Sequence, residues 1–110
     1  MGYIYKTILF TMNKEQQALD SWFKEQGWPY WQPHEMLARL MEETGEFARL
    51  VNHEYGPKKK KEGEAAQDFE AEIGDILYTL ACFANTHNID LDAALKRSGD
   101  KVSGRDKGRF

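Results

Sequence analysis

The chain reads as all-α, an antiparallel four-helix bundle, and three observations predict it. Apolar residues recur three and four positions apart in four separate segments, the spacing that lines one face of a helix. Connections containing Gly, Pro or charged runs divide those segments. Nowhere in them do apolar and polar residues alternate with the period of two that a half-buried strand requires.

The first helix is expected from about Asn13 to Gln26, with Ala18, Leu19, Trp22 and Phe23 as its stripe. Asn13 suits the N-cap, and Gln16, three residues on, has the spacing of a capping box. Gly27 and Pro29 should end this helix. The second starts at Pro33, a residue fitted to the first helical position, and stops before Gly56 and Pro57. Met36, Leu37, Leu40, Phe47, Leu50 and Val51 should share its inner face. A third helix is expected from about Ala65 to Thr86, turning Phe69, Ile73, Ile76, Leu77, Leu80, Phe83 and Ala84 inward. Asp90 reads as the N-cap of a fourth helix through Leu91, Ala94, Leu95 and Val102, which Gly99 should interrupt. The basic stretch 57–63 (PKKKKEG) has no apolar residue to bury and reads as a mobile loop.

At 110 residues, 13–110 reads as one domain, preceded by a leader or strand-like arm over 1–12. A bundle this short that also builds a site is expected to complete its core as a homodimer or homotetramer. The formal net charge of −3 argues against nucleic acid as partner, which calls for a basic surface. No apolar run has the length of a membrane span, and the single cysteine, Cys82, excludes an intrachain disulfide or a cysteine-built zinc site. The cytoplasm is the expected compartment.

The informative feature is where acids fall relative to the apolar stripes. At about 3.6 residues per turn, Glu43 lies between Leu40 and Phe47 and points into the stripe. Glu46 sits at the stripe's edge, and Glu42 falls off it. On the third helix Glu72 lies between Phe69 and Ile76, with Asp75 three residues further on. A lone E-x-x-E is common on solvated helix faces; two acid pairs on the apolar sides of neighbouring helices are not. Ionised carboxylates in an apolar groove need compensation, and the nearby bases are few, Arg39 and Arg49 flanking the second helix and none the third. Such a cluster suits a hard divalent cation, Mg2+ or in its place Mn2+.

The stretches Leu37–Tyr55 (LARLMEETGEFARLVNHEY) and Phe69–Asn85 (FEAEIGDILYTLACFAN) closely resemble MazG-type all-α nucleoside triphosphate pyrophosphohydrolases. The signature there, E-x-x-E and then E-x-x-D after a variable loop, reads here Glu43-Thr-Gly-Glu46 and Glu72-Ile-Gly-Asp75. With VNHEYG and the tail KVSGRDKGRF, the likeness points to the single-domain YpjD-like branch and covers about Gln32 to Phe110. It implies hydrolysis of a (deoxy)nucleoside triphosphate to the monophosphate and pyrophosphate, in the service of nucleotide-pool cleansing. It also implies that Glu43, Glu46, Glu72 and Asp75 hold the metal. Glu42, adjoining them, is preferred over Glu46 as the base that handles the attacking water. Lys101 and Arg105 match positions that resemble phosphate contacts, and Asn85 is placed to reach sugar or phosphate. Trp31, in an aromatic-x-Pro segment with Trp28 and Tyr30 just before it, resembles a base platform, although such rings also serve to cap a bundle's end. Lys58 to Lys61 could close as a lid.

A second reading makes the bundle a non-catalytic dimerisation or docking module, which accounts for the stripes but not for acids turned toward them. A di-iron site is the third, and the E-x-x-H pairing it uses is absent beside both acid pairs.

Overall fold

A computed structural model describes residues 11–57 and 68–105. These residues form four helices and no strand, α1 (Met12–Gln26), α2 (Pro33–Tyr55), α3 (Phe69–Thr86) and α4 (Leu91–Arg105), so the all-α expectation holds. The N-terminal MGYIYKTILF segment and the lysine run expected as a lid lie outside the described residues. The helices divide between two units, one of α1 with α4 and the last residues of α3, the other of α2 with most of α3.

In the first unit, the start of α1 differs from the expected one. Thr11, not Asn13, is the N-cap, its hydroxyl accepting from the Lys14 N–H at 3.4 Å. Asn13 and Gln16 are instead committed to long-range bonds. The Asp92 carboxylate accepts from the Met12 and Asn13 N–H groups at 3.2 and 3.1 Å, while Asn13 Oδ1 accepts from the Asp92 N–H at 3.3 Å. Each helix thereby satisfies orphan amides of the other. Gln16, buried despite its amide, donates to the Ile89 carbonyl at 2.6 Å and accepts from the Leu91 N–H at 3.2 Å, pinning the turn before α4. Gly27 closes α1 at φ +69, a left-handed conformation that L side chains resist. Asp90 caps α4 as expected, accepting from Ala93 at 2.9 Å. Gly99 does not interrupt that helix, which runs on to Arg105. One glycine without a proline costs a helix about 1 kcal/mol, too little to break it.

In the second unit, α2 begins at Pro33, and the Glu35 carboxylate accepts from the Gln32 N–H at 3.0 Å. It ends at Gly56, where a Cβ would collide with the side chain and carbonyl of Asn52. The third helix starts at Phe69, later than the expected Ala65, because Asp68 is a non-helical cap whose carboxylate accepts from Ala71 at 2.9 Å. Phe69 meets Phe47 edge-on at 6.3 Å between centroids and stacks on Tyr55 at 6.5 Å. The start of α3 thus lies against the end of α2, and the pair is antiparallel.

Among the described residues the buried apolar set is small: Phe23, Met36, Ala81, Cys82 and Ala84. Leu37, Val51, Ile73, Leu77, Leu80 and Phe83, all expected to face inward, are exposed in the single chain, as are Leu95 and Val102. Two antiparallel helices bury one stripe between them; residues flanking it need a further layer.

Candidate metal centre

Glu43, Glu72 and Asp75 converge between α2 and α3. Each offers a carboxylate oxygen, and the three oxygens lie within 4.8 Å of one another. The helical register produces this. Glu43 stands one turn before Phe47, Glu72 one turn after Phe69, and the Phe47–Phe69 contact brings both turns together. Glu43 is only 8% exposed and Glu72 half-buried, whereas Asp75 opens to solvent.

The electrostatics of the group are one-sided. Burial pushes the Glu72 carboxyl above its ordinary value, and the charges of Asp75, Glu46, Glu43 and Asp68 push it further. Glu72 Oε2 is buried and has no hydrogen-bond partner among the described residues. A buried, unpartnered carboxylate oxygen amid other acids is costly on its own and fits a hard cation, which takes oxygen ligands. Glu46 stays on the exposed side of α2, outside the close group of three, yet near enough to act on Glu72 through its charge.

Arg39 corrects the expectation that the acids lack a matching base. Its Nε lies 3.0 Å from Glu43 Oε1, and a second guanidinium nitrogen 3.9 Å from Glu42 Oε2. The i,i+4 spacing of Arg39 and Glu43 was the available signal. The same guanidinium stands 5.6 Å from the centre of the Trp31 ring. Glu42 points outward, as its position off the stripe implied.

The three aromatics before α2 have different settings. Trp28 packs edge-on against Trp22 and Phe23, and Tyr30 stacks on Phe23 at 4.5 Å, so these two cap α1. Trp31 is half exposed. In the other unit, both donors of the Asn85 amide are engaged, by the Gln16 carbonyl at 3.2 Å and the Tyr30 hydroxyl at 3.0 Å, and the residue borders a polar cleft of about 530 Å3. Lys101 and Arg105 lie exposed on α4. No helix among the described residues is long and apolar enough to cross a membrane.

Comparison with known proteins matches residues 31–110 to the MazG nucleotide pyrophosphohydrolase domain. YpjD of Bacillus subtilis is 44% identical over 100 residues, 91% of this chain and 90% of that protein. YvdC of the same organism is 30% identical over 96 residues, 78% of this chain and 91% of that protein. Among solved structures, B. subtilis YpjD, described as a candidate pyrophosphatase, superposes with a TM-score of 0.75 at 42% identity, covering 91% of this chain and all (100%) of that one. A Bacillus-conserved MazG protein, a nucleotide pyrophosphohydrolase, gives 0.71 at 38% identity, covering 92% and 98%. The chain belongs to the MazG nucleotide pyrophosphohydrolase family, hydrolases of phosphoric anhydrides.

Proposed function

We propose that this protein hydrolyses (deoxy)nucleoside triphosphates to the nucleoside monophosphate and pyrophosphate, using Mg2+ or, in its place, Mn2+. The unpartnered Glu72 oxygen, set in an acid cluster from two helices, carries the reading. Glu43, Glu72 and Asp75 hold the cation, with Glu46 completing the set from the exposed edge of α2. When bound, a divalent cation neutralises charge on phosphate oxygens and acidifies water beside it. Glu42, exposed and adjacent to the cluster, accepts the proton from the attacking water, with Glu46 the other candidate. Trp31 offers its exposed ring to the base. Lys101 and Arg105 donate to phosphate oxygens, and Asn85, whose two amide hydrogens are already engaged, offers its carbonyl oxygen to the sugar.

The role that follows is nucleotide-pool cleansing in the cytoplasm, by a homodimer or homotetramer. A release assay across normal and modified triphosphates tests the reaction. Pyrophosphate is the expected product with Mg2+ present; orthophosphate alone would show cleavage at a different anhydride.

A further inference from the structure

Arg39 takes no chemical part in the hydrolysis proposed for this site. It pairs with Glu43 of the acid cluster, its side chain half exposed while that of Glu43 is only 11% exposed. Its guanidinium also stands beside Trp31. A carboxylate has two oxygens, and Glu43 gives one to Arg39. A divalent cation drawn to the same carboxylate meets a fixed positive charge next to its site. Binding of that cation also takes up the negative charge of Glu43, leaving only the longer, 3.9 Å approach to the exposed Glu42 carboxylate for the guanidinium. Its planar fork then matches phosphate oxygens.

Resting on the reading of the site as a nucleotide pyrophosphohydrolase centre, we propose that Arg39 is a phosphate-binding residue with two successive partners. It is the counter-cation of Glu43 while the metal is absent, and it passes to a phosphate of the nucleotide once the metal is bound. The charge on Arg39 therefore restrains the cluster's affinity for metal alone and favours metal and nucleotide together.

Two effects of removing Arg39 oppose each other, and their sizes decide the outcome. A half-exposed ion pair orders Glu43 only weakly. Loss of a full positive charge a few ångströms beyond the carboxylate that would hold a divalent ion would be felt with double weight, and even at the dielectric of water would amount to about tenfold in affinity.

The test is calorimetric titration of Mn2+ alone into wild type, Arg39→Gln and Arg39→Lys, followed at saturating Mn2+ by an α,β-methylene nucleoside triphosphate. Arg39→Gln is expected to bind Mn2+ about tenfold more tightly and the analogue about tenfold more weakly. Arg39→Lys, which keeps the charge, should hold Mn2+ like wild type and recover part of the analogue affinity. Unchanged or weaker Mn2+ binding in a folded Arg39→Gln protein overturns the proposal, as does equal tightening in Arg39→Lys. Tighter Mn2+ with unaltered analogue binding overturns the hand-over to phosphate. Should Arg39→Gln fail to fold, Arg39→Met, which keeps the stem beside Trp31, serves in its place. The Mn2+ measurement needs no turnover. Tighter Mn2+ binding in a protein that releases no pyrophosphate would sustain the Glu43 pairing while overturning the enzymatic reading.

Discussion

Glu43 of α2 and Glu72 of α3 come from different helices, yet each presents an oxygen to a space less than 4.8 Å across that Asp75 also borders. Like charges at such separation repel by about 1 kcal/mol in water and several-fold more near a protein interior. A bound divalent cation would relieve this repulsion.

Neutralising Glu72 should therefore stabilise the metal-free protein. Its carboxyl is raised by burial and by acidic neighbours, so the native state binds this proton more tightly than the unfolded chain. The associated stability is present at low pH and is lost as pH rises from the ordinary carboxylate value through the raised one. At neutral pH, Glu72→Gln should raise the melting temperature by a few degrees, and Mg2+, which should raise that of wild type, should have no such effect on the variant. In wild type, Mn2+ affinity should fall on acidification, starting above the usual carboxylate range. Melting curves and titrations at several pH values check both.

Asn85 holds Gln16 and Tyr30 together through its amide. Asn85→Ala is expected to cost about 1–2 kcal/mol of stability, the usual cost of stranding part-buried hydrogen-bonding groups. Chemical denaturation measures it; an unchanged midpoint would leave substrate contact as the residue's sole role.

Two glycines should respond to alanine with opposite signs. Gly27 sits at φ +69, so Gly27→Ala should destabilise by about 1 kcal/mol. Gly45 is inside α2, and a Cβ at that position would meet nothing within 4 Å, so Gly45→Ala should stabilise by about 0.5–1 kcal/mol. Urea midpoints decide between these signs.

The exposed apolar residues Leu37 of α2 and Ile73, Leu77 and Leu80 of α3 are expected to be covered by further copies of the chain. Light scattering should give the mass of a dimer or tetramer, and Leu77→Glu should shift it toward monomer. A monomer mass for wild type at micromolar concentration would contradict self-association.

Much of this was legible in the sequence. Helical spacing set Glu43 and Glu72 on the apolar sides of their helices, and Pro33, Gly27 and Asp90 marked three helix ends correctly. The failures share a cause. Asn13 and Gln16 look like a local capping box, but their side chains bond to Asp92, Ile89 and Leu91, partners more than seventy residues away that no local pattern reveals. The inner faces were over-assigned because periodicity shows which residues are apolar together, not whether the same chain covers them. The i,i+4 spacing of Arg39 and Glu43 is itself the local signal of their pairing, and the set of four acids to which Glu43 belongs masks it.

Pyrophosphate release with Mg2+ from wild type and Asp75→Ala decides whether Glu43, Glu72 and Asp75 hold the cation that hydrolysis requires. Wild type should turn over at least one nucleoside triphosphate, and Asp75→Ala, with its helical signal intact, should lose at least a hundredfold in rate, more than the ~10–100-fold typical for losing a residue that only supports a metal ligand. Equal turnover by the two proteins would contradict such a site.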